Sequence, residues 1–306
     1  MGINSDHDEL GQFILPVMTA LADGHPICVG SSVIITTAKR RAIALTAKHV
    51  IDYVEQLNGR DDTTEFNVAP HFRKRRTDEV FKPRPARENH TFKHEVFVMI
   101  PDAQSLAVAM KICLFPGGEL DVAALGLEIG IGPAQSFPMR CRIMSNGPAI
   151  GDEVVLCGFP QGNSGSFNRA TGTFEFNYKI QTLRGTVVER FSWSEDYFVR
   201  SPGFRINVGA PSGFSGGAVL YVHQSLGPVL CGVISASDEQ RTSAALLYPA
   251  LGLSNPISHD SSVPDTILGL CSLPDALHDL DDAAAHVSID KNGTHNRLSD
   301  YITWRE

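Results

Sequence analysis

The feature that most constrains this chain is a series of short apolar runs, rich in Val, Ile and Thr, that Gly, Pro or basic residues interrupt. Runs of this length and composition are typical of β-strands. We expect strands at 13–20, 27–36, 42–46, 95–100, 107–115 and 122–127, and then at 153–157, 173–178, 181–188, 197–200, 218–222, 229–236 and 244–248. Many short strands with few helical periods between them favour an all-β fold of closed antiparallel barrels.

The two groups of runs predict two six-stranded antiparallel β-barrels within one domain at 11–254. Barrel one is expected at about 11–130 and barrel two at about 131–254. A chain of 306 residues can build such a core without disulfides, because folding at this size hides roughly 75% of the surface of the extended chain. The six cysteines stand singly and mostly in or beside apolar runs, which indicates free buried thiols.

Two segments depart from the strand pattern. Residues 71–87 hold seven Lys or Arg against two acidic residues, with prolines in and beside the segment. We expect an exposed basic loop there, either a solvated insertion or a docking site for a regulatory protein. The extension 255–306 is expected to pack on or beside the barrels as a small helical tail, with helices near 273–280 and 297–304. This tail is a second place where a regulatory partner could bind.

Composition and charge exclude several classes of protein. No apolar run reaches the ~18 residues of a membrane-spanning helix, and the N-terminal residues lack the basic and apolar segments of a signal peptide. We therefore expect a cytoplasmic protein without a membrane partner. The formal net charge of −8 argues against nucleic acid as the partner. No H-E-x-x-H or C-x-x-C spacing occurs, so neither a metal site nor a cofactor is expected.

Three side chains stand where a hydrolase would place its reacting groups. Ser215 lies in a Gly-rich turn whose glycines permit unusual backbone angles and close approach of a substrate. His49 follows an apolar run and is expected at the end of that strand, where a general base would be held rigidly. Asp121 interrupts an apolar run, and a buried carboxylate needs a partner such as an imidazole N–H. Each residue alone also fits a structural interpretation, as a tight turn, a buried histidine or a turn aspartate.

Taken together, the three residues occur in the order His, Asp, Ser, which is the order in chymotrypsin-type proteases. Thr-Ala-Lys-His-Val at 46–50 resembles the T-A-x-H-[CV] signature of the trypsin-like serine proteases. Leu-Asp-Val-Ala at 120–123 resembles their D-[IV]-A-L strand, and Gly-Phe-Ser-Gly-Gly at 213–217 resembles their G-x-S-G-G loop. Supporting matches lie at 30–34, 155–160 and 231–235.

The resemblance implies a serine endopeptidase that hydrolyses peptide bonds in a protein or peptide substrate through an acyl-enzyme. Ser215 would attack the scissile carbonyl, and His49 would take and return the proton. Asp121 would orient His49 and stabilise its charged form. The N–H groups of Gly213 and Ser215 would form the oxyanion hole.

The same resemblance implies which residues bind the substrate. Gly209, about six residues before the nucleophile, would form the floor of the specificity pocket. Ser235, Ala236 and Ser237 would line one wall, with Ser235 on a strand that pairs with the substrate backbone. None of these positions offers a carboxylate, and a buried cation without one is disfavoured. We therefore expect a small or medium uncharged residue on the acyl side of the cut.

Three residues bear on activation and specificity. Clipping-activated relatives carry Asp just before the nucleophile, where it pairs with a newly cut N-terminus, whereas this chain has Phe214. No Ile-Val-Gly-Gly-like cleavage site precedes the first strand, so the chain resembles the bacterial-type branch that matures without such clipping. Asp238 and Glu239 would change the expected specificity if their loop turned towards the pocket.

Two other functions stay open at the level of sequence. A catalytically silent trypsin-like binding module would typically have lost His49 or Ser215, and both are present. A protein that binds an acidic partner through the basic loop 71–87 would show salt-dependent binding.

Overall fold

The computed structural model describes residues 10, 12–20, 26–38, 40–58, 96–100, 105–114, 120–137, 139–144, 147–161, 165–168, 173–176, 179–191, 201–223, 227–247, 250, 287–289 and 295–297. The basic loop 71–87, the predicted strand 197–200 and the predicted helix 273–280 lie outside these residues.

Barrel one is built from the first six strands, and one helix lies between its third and fourth strands. The elements are β1 (Ile14–Ala20), β2 (Pro26–Ala38), β3 (Arg41–Thr46), α1 (Lys48–Asn58), β4 (Phe97–Ile100), β5 (Ser105–Leu114) and β6 (Ala123–Ile131). The strands close in the order β1-β2-β3-β6-β5-β4, and every neighbouring pair is antiparallel. Strand β1 is buried along nearly its whole length, which explains why its sequence is a continuous apolar run rather than an alternating one.

Among the described residues, nine strands follow in the chain segment of barrel two, and six of them close the barrel. The elements are β7 (Arg142–Ile143), β8 (Glu153–Gly158), β9 (Gly165–Asn168), β10 (Thr173–Phe176), β11 (Gln181–Phe191), β12 (Gly203–Ile206), β13 (Ala218–His223), β14 (Gly227–Ser237) and β15 (Thr242–Ala245). The closed ring is β13-β8-β11-β12-β15-β14, again antiparallel throughout, with β13 pairing back to β14. The short β7 adds to β14 in parallel.

The prediction of two six-stranded antiparallel barrels is confirmed. Two details differ from the sequence-based expectation. The run 173–178 gives β10, which pairs with β9 in a separate two-stranded sheet, whereas the ring includes β12, a strand that was not predicted. Strand β12 was missed because it is only four residues long and begins with a glycine, which is depleted in strands.

The apolar core runs through both barrels. Leu45 and Leu125 of barrel one belong to the same buried cluster as Leu220 and Val233 of barrel two. A second cluster fills the interior of barrel two around Phe204. Since each fully buried Leu, Val or Phe contributes roughly 1.5–3 kcal/mol of hydrophobic free energy, the two barrels are held together by the same force that closes each one.

Helix α1 begins directly after β3 and packs on barrel one. Ala47, Val50, Ile51 and Val54 are buried, and their i, i+3, i+4, i+7 spacing gives an amphipathic helix one apolar face. His49 therefore lies in the first turn of a helix, and the expectation that it ends a strand is wrong. The apolar run does form a strand, but that strand ends at Thr46.

Five cysteines fall within the described residues, and all five are unpaired. Burial raises the pKa of the Cys28 thiol to about 11 and that of Cys141 to about 12, so these thiols stay protonated at neutral pH. No helix in the described parts of the chain has the length and apolar character needed to span a membrane.

The described part of the tail consists of two short strands. β16 (Val287–Ile289) and β17 (His295–Arg297) form an antiparallel pair. Arg297 ends β17, and the rest of the helix predicted at 297–304 lies outside the described residues.

Candidate active site

The pairing of β3 with β6 brings His49 and Asp121 together. Thr46, the last residue of β3, pairs with Ala123, the first residue of β6. The chain enters α1 at Lys48 on one side of this pair, while Asp121 stands two residues before Ala123 on the other side. Residues that are far apart in sequence therefore meet at one edge of barrel one.

The Asp121 carboxylate holds His49 at two points. Its Oδ1 accepts a hydrogen bond from the backbone N–H of His49 at 3.0 Å, and its Oδ2 lies 2.9 Å from the ring Nδ1. The first bond satisfies a backbone donor that the first turn of a helix leaves without an intrahelical acceptor. Because α1 has no acidic residue in its own first turn, Asp121 also supplies the negative charge that a helix N-terminus favours. The second bond fixes the orientation of the imidazole ring.

Ser235 completes the environment of Asp121. Its hydroxyl donates a hydrogen bond to Asp121 Oδ2, and the residue is buried. In the pairing of β14 with β15, Ile234 and Ala236 have partners on β15 while Ser235 is the extra residue of a β-bulge. A bulge redirects a side chain, and here the redirected hydroxyl reaches the carboxylate. Sequence reasoning assigned Ser235 to substrate binding alone and missed this contact, because a bulge leaves no signal in a single sequence.

The pKa values of the pair move in opposite directions. Burial acts to raise the pKa of Asp121, but the charge of His49 and the hydrogen bonds from His49 and Ser235 outweigh it and leave that pKa lowered. Burial acts to lower the pKa of His49, but the charge of Asp121 and its hydrogen bond outweigh it and leave that pKa raised. Asp52 adds to the rise, while Lys48 opposes it. Asp121 is therefore a carboxylate at neutral pH that stabilises the protonated imidazole.

The turn that carries Ser215 lies against the end of β3, beside this pair. A methyl group at Gly216 would overlap Ser31 O and Thr46 Oγ1, so only glycine lets the turn approach barrel one this closely. Gly216 also has a φ of 84°, which favours glycine. No hydrogen bond joins the His49 and Ser215 side chains among the described residues. Such catalytic contacts are often long until a substrate binds.

Every carbonyl group from 212 to 215 accepts a hydrogen bond. The pairs are Ser212 O with Gln161 N (2.5 Å), Gly213 O with Ser31 Oγ (3.0 Å), Phe214 O with Gly217 N (2.8 Å) and Ser215 O with Ser31 N (2.8 Å). Since a peptide group is planar, fixing its carbonyl also fixes the direction of its N–H. The turn therefore has one defined backbone conformation.

Within residues 213–217, two N–H groups find no acceptor in the described part of the chain. Those of Phe214, Gly216 and Gly217 bind Pro211 O, Ile234 O and Phe214 O, at 3.2, 2.8 and 2.8 Å. The N–H groups of Gly213 and Ser215 alternate with them, and neither finds an acceptor among the described residues. These are the two groups that the sequence assigned to the oxyanion hole. Backbone N–H groups that converge on one point can stabilise a developing oxyanion.

Gly213 has no room for a side chain. Its φ is 94°, and a methyl group there would overlap Gln161 N and Phe159 O. The segment 159–161 thus packs directly on the peptide that carries the Gly213 N–H.

Phe214 occupies the core of barrel two. Its side chain is 1% exposed and belongs to the buried cluster around Phe204. The ring packs so closely on Gly158 that a methyl group there would come within about 3 Å of it. An apolar anchor therefore stands directly before Ser215, where the clipping-activated enzymes that this sequence resembles carry an Asp.

The hydroxyl groups of Ser237 and Thr242 bind the backbone on both sides of Gly209, the residue predicted to form the floor of the specificity pocket. The N–H of Ala210 donates to Ser237 Oγ at 2.7 Å and to Thr242 Oγ1 at 2.9 Å. Thr242 Oγ1 donates in turn to Val208 O at 2.6 Å, and the Ser237 and Thr242 oxygens lie 3.1 Å apart. Thr242 was not identified from the sequence, because a lone threonine at the start of a strand carries no functional signal.

Gly209 and Asp238 complete this region. The backbone carbonyl of Asp238 leaves no space for a side chain at Gly209. The Asp238 carboxylate accepts hydrogen bonds from the N–H groups of Gln240 and Arg241, both at 2.8 Å. These bonds lower the pKa of Asp238 and hold its charge on its own exposed turn. Among the described residues, no group of three His, Cys, Asp or Glu side chains is placed to hold a metal ion.

Comparison with known proteins gives matches by structure only. No family model and no curated protein matches the sequence. The active form of the Rv3671c protease from M. tuberculosis matches with 14% identity and a TM-score of 0.45, over 84% of this chain and 88% of that one. The HtrA-type protease AlgW with tripeptide matches with 15% identity and a TM-score of 0.45, over 80% of this chain and 59% of that one.

Sequence identities this low bear on the fold alone, and TM-scores below 0.5 carry no argument. The fold is therefore assigned from the strand order of this chain. That order consists of two closed six-stranded antiparallel barrels, with the Ser215 turn of the second against the α1 end of the first. The chain has the double-barrel fold of the trypsin-like serine proteases.

Proposed function

We propose that this protein is a serine endopeptidase with Ser215 as nucleophile, His49 as general base and Asp121 as the residue that orients His49. The observation that carries the proposal is the arrangement of Asp121. Its carboxylate holds both the backbone and the ring of His49, beside a turn with two unengaged N–H groups. A turn with a merely structural role has no need for this combination.

The reaction would proceed through an acyl-enzyme. As Ser215 Oγ attacks the scissile carbonyl, the imidazole of His49 takes its proton and becomes an imidazolium, which the Asp121 carboxylate stabilises. The carbonyl oxygen becomes an oxyanion and accepts hydrogen bonds from the N–H groups of Gly213 and Ser215. His49 then protonates the leaving amine, and a water molecule repeats the sequence to release the acid.

The Phe214 anchor supports a site that forms without cleavage of the chain. A turn whose backbone depends on an Asp-to-amine ion pair needs a new N-terminus, whereas Phe214 draws its free energy from apolar burial, typically 1.5–3 kcal/mol or more for such a ring. The full-length protein is thus proposed to be competent as synthesised. Any regulation would then act through a partner protein, at the basic loop 71–87 or at the tail.

The hydrogen bonds of Ser237 and Thr242 support a preference for a small or medium uncharged residue on the acyl side of the cut. These hydroxyl groups join the segment 208–210, which holds the expected floor of the pocket, to the β14–β15 segment, which holds its expected wall. We propose that the two side chains at this junction limit the length of the substrate side chain that the pocket accepts. The Asp238 carboxylate is held on its own turn, so it does not offer a counter-charge for Lys or Arg.

A fluorophosphonate probe tests the proposal, because an activated serine attacks its phosphorus and displaces fluoride, which leaves a stable phosphonate ester on the serine. The wild-type protein should be labelled and should cleave peptides, while Ser215→Ala and His49→Ala should reduce both activities to near background. Labelling without peptide cleavage would point to another acyl hydrolase. Absence of labelling in folded wild-type protein would favour the catalytically silent binding module.

A further inference from the structure

We infer that Ser31, on β2 of barrel one, is a positioning residue that fixes the oxyanion hole of barrel two; this inference rests on the proposed serine-peptidase function. Ser31 is completely buried. It belongs to neither the catalytic triad nor the substrate pocket. It is nevertheless the residue through which barrel one holds the backbone of the Ser215 turn.

Ser31 makes three hydrogen bonds across the junction of the barrels. Its N–H donates to Ser215 O at 2.8 Å. Its hydroxyl donates to Gly213 O at 3.0 Å and accepts from the N–H of Phe159 at 2.9 Å. One side chain therefore joins the turn to the 159–161 segment, and that segment in turn holds Ser212 O through Gln161 N.

These contacts control the two peptide groups on either side of Gly213. Gln161 fixes the peptide between Ser212 and Gly213, which carries the first N–H of the oxyanion hole. Ser31 fixes the next peptide through its carbonyl. Loss of the Ser31 hydroxyl would free the Gly213 carbonyl and also release the Phe159 N–H, which holds the 159–161 segment that carries Gln161. Because φ at Gly213 is 94° and glycine rotates readily, the first peptide could then rotate as well. Rotation would present a carbonyl oxygen where an N–H is needed, and it would repel the oxyanion.

Thr46 holds Ser31 in turn. Its Oγ1 donates to Ser31 O at 2.7 Å, and both residues are buried. Thr46 is the last residue of β3, directly before the segment that carries His49. The hydrogen bonds from Thr46 to Ser31 and from Ser31 to Gly213 thus link the position of the general base to that of the oxyanion hole.

The experiment compares Ser31→Ala with Ser32→Ala. Ser32 is the adjacent residue of β2, is equally buried, and donates its hydroxyl to Leu15 O at 3.2 Å, within barrel one. Steady-state kinetics on a peptide substrate should show kcat reduced about 10- to 100-fold in Ser31→Ala, with KM within about twofold of wild type. A loss in kcat without a change in KM is expected, because the N–H groups of the oxyanion hole stabilise negative charge that develops only in the transition state. Ser32→Ala should keep the wild-type kcat.

A second pair covers the case in which Ser31→Ala does not fold. Thr46→Val removes the hydroxyl at nearly constant volume, and Thr46→Ser restores it. Thr46→Val should lower kcat about 10-fold, and Thr46→Ser should recover most of the loss. Thermal unfolding of all variants ensures that assays are made on folded protein.

Amide hydrogen exchange gives a readout that does not depend on activity. Ser31→Ala should accelerate exchange of the Phe214, Gly216 and Gly217 amides about 10-fold or more relative to Ser32→Ala, without accelerating the amides of β11. Equal kcat and equal exchange in Ser31→Ala and Ser32→Ala, in an active wild-type enzyme, would overturn the inference and leave the proposed function standing. An inactive, unlabelled wild type would overturn the proposed function, and the exchange comparison would then decide alone whether Ser31 holds the turn.

Discussion

The carboxylate of Asp121 binds both the backbone N–H and the ring Nδ1 of His49, at 3.0 and 2.9 Å. The same group therefore holds the first turn of helix α1 and sets the orientation of the imidazole. With Ser235 donating to one of its oxygens, Asp121 has little freedom to rotate. The imidazole that we propose as general base therefore loses little orientational entropy when it accepts a proton.

The first prediction concerns the pH dependence of catalysis. The proposed mechanism needs neutral His49, and the pKa of His49 lies above its ordinary value of 6.5. Activity should therefore rise with pH through a midpoint above 6.5, since protonated His49 cannot accept the proton of Ser215. The measurement is kcat/KM against pH, which reports the free enzyme.

Two variants should move that midpoint to lower pH. The Asp121 charge is the main influence that raises the pKa of His49, and Asp52 adds to it. Asp121→Asn should shift the midpoint strongly, with a large loss of rate, and Asp52→Asn should shift it less. If the midpoint pH of kcat/KM were the same in Asp121→Asn as in the wild type, a group other than His49 would control the loss of activity at low pH.

The second prediction compares two glycines with nearly the same backbone angle. Gly213 and Gly151 have φ of 94° and 92°, but a methyl group would overlap Gln161 and Phe159 at the first and meet nothing within 4 Å at the second. Gly213→Ala should lower kcat about 10²–10³-fold through loss of a hole donor. Gly151→Ala should cost about 1 kcal/mol of unfolding free energy and leave kcat unchanged. A similar kcat in the two variants would argue against Gly213 as a donor of the oxyanion hole.

The third prediction is that no N-terminal cut is needed. Because Phe214 anchors the turn by apolar burial, full-length protein carrying a protease-resistant N-terminal extension should react with a serine probe as fast as protein without it. Mass spectrometry of the labelled chain would establish that it is uncut. A strict requirement for cleavage near residues 10–13 would contradict the role given to Phe214.

The fourth prediction concerns specificity. The double variant Thr242→Gly, Ser237→Gly removes the two hydroxyl side chains that bind the segment 208–210. Cleavage after Leu or Phe should then rise about 10-fold or more relative to cleavage after Ala. Thr242→Val is the matched control, because it keeps the bulk and should keep the preference for small residues. Dominant cleavage after Arg or Lys by the wild type would refute the uncharged pocket.

The sequence was sufficient for the architecture of the barrels because most of their strands are short apolar runs between turn residues, as in β1 and β8. It also suggested that His49 and Asp121 would meet, because together with Ser215 they occur in the order and in the motifs of the trypsin-like serine proteases, whereas each residue alone also fits a structural role. It was insufficient for the local conformation around His49. The first turn of α1 follows β3 after a single residue, and no Ser, Thr, Asp or Asn marks its start, because the capping carboxylate comes from Asp121.

Other features depend on contacts that no single segment encodes. The hydroxyl of Ser235 reaches Asp121 only because a bulge redirects it, and the role inferred for Ser31 requires Phe159 and Gly213, which are more than 100 residues away along the chain. Such roles emerge when two barrels meet. They could not be assigned from the local pattern around either serine.

Locating the covalent adduct of a fluorophosphonate probe tests the central claim most directly. The wild-type protein is treated with the probe, digested and analysed by mass spectrometry, with Ser215→Ala and His49→Ala treated in parallel. The account predicts a single adduct on Ser215, absent from Ser215→Ala and reduced to near background in His49→Ala. An adduct on another serine, or equal labelling of Ser215 in wild type and His49→Ala, would contradict it.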